Sequence, residues 1–150
     1  MATHPSAAMI EDISHCDVML ALVIRHRYRA DGIKFFTPDN FSQQLGYMNR
    51  PAGYVIPPHI HNPVPRTVEW TQEVLYIKSG KVRLDIFTSQ CEYLRSLILE
   101  AGDVVLLAHG GHGFSILEDA EIIEVKQGPY AGEVDKVRFP PIDSAQARFE

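Results

Sequence analysis

From residue 53 to residue 127 the apolar residues alternate with polar ones or run in short blocks, and Gly, Ser, Asn and Asp separate the blocks. That is the two-residue period of a strand and not the 3.6-residue period of a helix, which confines the segment to sheet. The blocks predict strands at residues 53–57, 73–78, 81–88, 93–99, 104–108, 113–117 and 122–127. Ser79-Gly80, Gly102-Asp103 and Glu118-Asp119 supply turns between them. Short strands at this spacing imply an all-β sandwich or barrel. Two proline-containing joints, Arg50-Pro51-Ala52-Gly53 and Gly128-Pro129-Tyr130, bracket the sheet region as turns.

Outside that region the pattern is weaker. Residues 19–28 are apolar and then basic and fit either a preceding strand or a short helix. Pro38-Asp39-Asn40-Phe41 reads as a helix start running to about Leu45. The stretch 135–150 carries Pro140-Pro141 and ends in polar residues, as a tail frayed or draped over the barrel would. The expected organisation is a single domain: an N-terminal helical or extended segment, 1–52, packed on a barrel core, 53–130, with a C-terminal tail, 131–150. At 150 residues such a chain can bury a core without disulfide staples.

Composition excludes several partner classes. Lys plus Arg number 14 against 19 Asp plus Glu, a net charge of −5, which lacks the footprint of phosphate-backbone binding, so nucleic acid is not an expected partner. The apolar run 18–24 is too short to span a bilayer, and His4, Glu11 and Asp12 do not fit a secretory leader. No membrane association is expected, and a cytoplasmic location is. Cys16 and Cys91 form no CxxC pair and read as reduced thiols.

The chemistry lies in a few polar residues. His59 and His61 are two apart, and on a strand residues i and i+2 project to one face, so two imidazoles point together. Neutral imidazole ligates Fe, Mn, Ni or Zn, and an added carboxylate leaves positions open for water or substrate. Glu73 begins an otherwise apolar strand, where a core-facing carboxylate needs a compensating partner that a cation would supply. His112 follows Gly110-Gly111 at the start of another strand and can complete the cluster. Further along, Glu124 and Lys126 share one strand face and Ile123 and Val125 the other. With the polar face inside the barrel, Glu124 and Lys126 become a candidate acid–base pair; with it outside, they form a solvated ion pair. Tyr47, Tyr54, Arg66 and Trp70 are candidate substrate-binding residues beside the mouth, although the loop 62–72 fits a dimer contact equally well. The basic cluster Arg25-His26-Arg27-Tyr28-Arg29 fits either phosphate binding or solvated surface.

Gly53 followed by His59-x-His61, and Glu73 followed by Gly80, resemble the two ends of the first cupin motif. Gly102-Asp103-Val104-Val105-Leu106-Leu107 with the glycine-rich turn and His112 resembles the second. This similarity covers residues 53–127. It implies a double-stranded β-helix, the cupin jelly-roll barrel, with one divalent metal ion on His59, His61, Glu73 and His112. Two departures accompany it. Residues 62–72 separate His61 from Glu73, a longer insertion than the family usually has, which makes Glu69 a rival ligand; only Glu73 keeps the distance to Gly80. Ala108 stands in the usual proline position of the second motif, and the turn before His112 is one residue short, which leaves His109 a neighbouring candidate. A site of three histidines with Glu73 only hydrogen-bonded is the alternative geometry.

The resemblance leaves the reaction open, because this fold hosts isomerases, epimerases, dioxygenases and pure binders. An enzyme acting on a small molecule is the favoured expectation, foremost a carbohydrate or sugar-nucleotide isomerase or epimerase. An iron-dependent dioxygenase and a non-catalytic small-ligand binder are the alternatives. A homodimer is expected from apolar outer strands such as 93–99 that are better covered than exposed.

Overall fold

The protein was analysed as a computed structural model that describes residues 8–149. The sequence argument from His4 falls outside those residues. The chain divides into two compact units: residues 8–28 with 70–149, and Arg29–Glu69.

The first unit is built on antiparallel strands β1 (Ile10–His15), β2 (Val18–Ile24), β5 (Glu73–Phe87), β6 (Tyr93–Glu100), β7 (Val104–Leu107) and β8 (Gly111–Lys126). The second unit holds a two-stranded sheet of β3 (Gly32–Phe35) and β4 (Gly46–Asn49). In the first unit β1 and β2 form a hairpin whose two turn residues, Cys16 and Asp17, both have positive φ, as a tight turn with matched twist requires. β2 pairs with β7, and β7 with the first half of β5. The second half of β5 pairs with β6, and β8 runs along the whole of β5 on its other edge.

β5 and β8 are long strands that turn a corner together, and the sheet curls into a half-barrel. Glu73, at one end of β5, is registered to Leu107, and Phe87, at the other end, to Gly111. A straight strand of 15 residues would extend about 50 Å. Leu107 and Gly111 can be no more than about 14 Å apart along the chain, so β5 must bend for both ends to reach them. The bend falls at Gly80, where φ is +81° and the register against β8 shifts on either side. A Cβ there would run into the backbone carbonyl of Asp119 and the Cα of Ala120. Only glycine allows both the dihedral and the close approach of β8.

Inside the curl, Leu75, Ile77, Val82, Leu84 and Ile86 of β5 pack with Ile13, Ala21, Val23, Leu97, Leu99, Val105 and Leu107 of its neighbours. On the opposite face of the second half of β5, Arg83 and Asp85 are also buried, at 4% and 3% exposure. Arg83 donates from Nε and Nη2 to the two Asp85 carboxylate oxygens at 2.9 and 3.0 Å, and Ser96 Oγ donates to Asp85 at 2.5 Å. The tail covers them: Arg83 Nη1 donates to Ser144 Oγ at 3.0 Å, Phe139 packs edge-on against Phe87, and Ser96 N–H donates to the Arg148 carbonyl at 2.6 Å. Of the two alternatives for the tail, the described part is draped, with two 3₁₀ turns, Gly132–Asp135 and Ser144–Gln146.

A third polar group ties the first hairpin to the β6–β7 turn. Asp103, 1% exposed, accepts hydrogen bonds from the N–H groups of His26 and Glu100 and from Arg25 Nη1. Burial alone would raise its carboxyl pKa, and those three donors outweigh it and hold the value below the usual range. Arg25 also contacts Glu11 and the Ile98 carbonyl. The first residue of the basic cluster is therefore committed to the fold.

Several sequence expectations change. The segments 73–78 and 81–88 are one bent strand, as are 113–117 and 122–127, because Gly80 serves as a corner and not as a reversal. Residues 19–28 begin in strand β2 and form no helix. The expected strand at 53–57 is absent: residues 50–69 lie in no strand or helix, and Pro51, Pro57, Pro58, Pro63 and Pro65 deprive that stretch of ladder donors. The helix from Pro38 is also absent. Gln44 Nε2 donates to the carbonyls of Pro38, Asp39 and Phe41, taking acceptors that helical backbone bonds would use. Strands β1, β3 and β4 went unpredicted. No helix among the described residues is long and apolar enough to cross a membrane.

The corner makes a direct prediction. Gly132 has φ +68° with nothing near its missing Cβ, so Gly132→Ala should cost only the left-handed backbone penalty, about 1 kcal/mol. Gly80→Ala adds the collision with the Asp119 carbonyl and should cost at least twice as much, about 2 kcal/mol or more. Urea unfolding of the two variants measures the difference, and equal losses would show that the corner does not depend on Gly80.

Candidate functional site

Glu73 lies on the core-facing side of β5, in line with Leu75 and Ile77 at two-residue spacing. Its side chain is 12% exposed, and a carboxylate in that position needs counter-charges. The sheet supplies two polar partners, of which the Lys126 ammonium is charged. Its register partner on β8 is Lys126, whose Nζ lies 3.2 Å from Glu73 Oε1. Its register partner on β7 is Leu107, from which the chain turns through residues 108–110 into β8 and delivers His112. His112 Nε2 lies 3.2 Å from Glu73 Oε2. The two ends of β8 thus converge on one carboxylate because β5 bends.

The hydrogen bond from His112 is the main cause that holds the Glu73 carboxyl down at about 2; burial pushes the other way, and the Lys126 ammonium adds to the lowering. Reciprocally, the Glu73 carboxylate raises the Lys126 pKa. His112 also stacks edge-on against Phe114, two residues along on the same face, at 5.7 Å between ring centroids. Phe114 and Ile116 are the register partners of core residues Leu84 and Val82, yet both remain exposed. That side of β8 is open beside His112.

Glu73 Oε2 and His112 Nε2, 3.2 Å apart as a hydrogen-bonded pair is, are atoms of the kinds that ligate a divalent cation, whereas the ammonium of Lys126 on the other oxygen offers a cation no lone pair. Carboxylate oxygen and imidazole nitrogen together suit Mn, Fe, Ni or Zn.

In the second unit His59 and His61 lie in the irregular stretch 50–69 and not on a strand. Their rings nevertheless meet edge to face, 5.2 Å between centroids. His59 Nδ1 lies 3.0 Å from the Pro57 carbonyl oxygen. A carbonyl only accepts, so Nδ1 donates that hydrogen bond. Within each unit taken by itself, no three His, Cys, Asp or Glu side chains among the described residues are gathered to hold a metal.

The remaining candidates are dispersed. Glu124 is exposed and registered to Leu75, and Lys126 contacts Glu73 instead of Glu124, which corrects the expected acid–base pair. The polar face of that strand does turn towards the core side, since Ile122, in line with Glu124 and Lys126, packs on the core. Trp70 packs edge-on against His109 at 5.5 Å, and His109 Nδ1 donates to the Met19 carbonyl at 3.0 Å. In the second unit Tyr47 lies on β4, Arg50 lies over the Tyr54 ring at 4.5 Å, Arg66 Nη1 donates to the Val64 carbonyl, and Glu69 lies in the irregular stretch. Cys16 and Cys91 are free and exposed. The Glu73–Lys126 contact escaped the sequence reading; its only signal was that Lys126 shares a face with Ile122, which identifies an inward face only once the register is known.

No model of a known family matches the chain, and neither a curated protein nor a solved structure matches it at a significant level.

The depressed Glu73 pKa gives a signed pH dependence. A carboxyl held near 2 against an ordinary 4.5 stabilises the fold above pH 4.5, and that contribution disappears as pH falls towards 2. In chelator-treated protein, Glu73→Gln should be less stable than the parent by about 2 kcal/mol at neutral pH. The gap should close between about pH 5 and pH 2. Urea unfolding across that range tests it, and a gap independent of pH would place the loss in packing and not in charge.

Proposed function

We propose that this chain is a metal-dependent cupin, a double-stranded β-helix that binds one divalent ion, Fe, Mn, Ni or Zn, and acts on a small molecule. The supporting observation is that Glu73 and His112, both singled out in the sequence, meet at 3.2 Å. The sequence motif adds His59 and His61 as the other ligands.

When bound, the ion polarises a carbonyl or hydroxyl oxygen of the substrate as a Lewis acid. Glu73 and His112 would hold and orient it. The exposed Phe114 and Ile116 provide an apolar wall beside His112 for the carbon skeleton of the substrate. Isomerisation or epimerisation of a carbohydrate or sugar nucleotide is the reading we favour, since it asks only for a Lewis acid and a group to move a proton.

Elemental analysis of the purified protein should find about one divalent metal per chain. Glu73→Gln and His112→Gln should each weaken Mn²⁺ affinity tenfold or more, and His59→Ala with His61→Ala should abolish retention. Affinity unchanged in Glu73→Gln and reduced in Glu69→Gln would transfer the carboxylate role to Glu69.

A further inference from the structure

Among the described residues one buried side-chain polar atom has no hydrogen-bond partner, Nε of Arg95 on β6. A guanidinium offers five N–H donors, and the other arginines packed into the first unit place theirs on acceptors. Arg83 reaches Asp85, Ser115 and Ser144, and Arg25 reaches Glu11, Asp103 and the Ile98 carbonyl. The arginine ion pairs among the described residues belong to Arg25, Arg83 and Arg138, and none to Arg95. A cation partly sunk in a sheet without a counter-charge is costly, and natural folds rarely keep one without a use.

Its place in the sheet indicates the use. Arg95 is the register partner of Ile86, and Leu97 and Leu99 follow it on the same inward side of β6. On the other edge of β5 the partner of Ile86 is His112. Register therefore sets His112, Ile86 and Arg95 in one row across β8, β5 and β6, on the face turned into the curl. Two interstrand spacings, about 10 Å, separate the backbones of the outer pair. The β5–β6 ladder shifts just beyond this row, between Ile86 and Phe87, so that Leu94 is an extra residue beside Arg95. Such bulges re-aim neighbouring side chains and are frequent beside binding sites.

We propose that Arg95 is an anion-binding residue, whose guanidinium takes a carboxylate or phosphate group of a small molecule at the His112 end of the curl. The planar fork of a guanidinium pairs with either oxyanion through two parallel hydrogen bonds, and partial burial strengthens the pairing. That the anion belongs to a substrate rests on the proposed function; that Arg95 binds an anion does not, and it requires no metal. A neutral sugar would leave the cation uncompensated, so the substrate class narrows to acidic sugars, sugar phosphates or sugar nucleotides.

The test uses chelator-treated full chain, titrated at constant ionic strength with inorganic phosphate and, separately, with malonate. The Arg95 Nε–H resonance is the reporter, since burial shelters it from exchange with water. At least one probe should shift it saturably, and the probe that binds more tightly tells a phosphorylated ligand from a carboxylic acid. Arg95→Met should weaken that binding tenfold or more, and Arg95→Lys, which keeps the charge and loses the fork, should weaken it less. Arg148→Gln, which removes an exposed arginine at Tyr93, should leave it near the parent. The bound probe should also raise the Tm of the parent and not that of Arg95→Met. Absence of saturable binding by both probes to the parent, or affinity retained in Arg95→Met, would overturn the proposal and leave the metal reading untouched. Anion binding to the chelated protein would uphold Arg95 even where elemental analysis finds no metal.

Discussion

The corner at Gly80 is the constraint on which the first unit depends. A single residue at positive φ, with the Asp119 carbonyl seated where a Cβ would be, lets β5 and β8 bend as a pair without breaking their ladder. Because of that bend, one strand contributes to the sheet twice, first beside β7 and then beside β6. The core residues Leu75 and Ile77 before the corner and Val82, Leu84 and Ile86 after it then join one cluster inside the curl. The chemistry follows from the same geometry. Glu73 and His112 belong to opposite ends of a long strand pair, and only curvature lets them touch.

Much of this was legible in the sequence, and the failures have identifiable physical causes. Two-residue alternation located every strand segment from 73 to 127, because one buried face enforces it. It did not reveal that pairs of segments were continuous, since glycine serves a reversal and a corner equally well. The odd–even parity of inward residues changes across Gly80, from 75 and 77 to 82, 84 and 86, so no single alternation could be carried through. Glu73 and His112, which the motif spacing singles out, lie in contact. The strand assumed beneath His59 and His61 failed because their segment is rich in proline, and short-range imidazole contact arose there without any ladder. Lys126 was singled out with the wrong partner: adjacency along β8 pointed to Glu124, whereas cross-strand register decided for Glu73.

Three carboxylates of the first unit, buried Asp85 and Asp103 and half-buried Glu73, differ in their donors. Where backbone N–H groups participate, as at Asp103, the charge is fixed by the fold itself and cannot be redeployed without opening the β6–β7 turn. Where a planar guanidinium grips both oxygens, as at Asp85, the pair is locked by geometry. At Glu73 a histidine and a lysine share the task, beside an open face of β8.

The draped tail decides whether the polar face of the β5–β6 hairpin is interior or surface. Arg83, Asp85 and Ser96 come together when β5 meets β6, but the contacts that seal them come from Phe139, Ser144 and Arg148. Without those contacts the Arg83–Asp85 ion pair would lie on a sheet face reached by water, so residues 139–148 are what makes it interior, and they belong to the packing of the first unit as much as any strand does.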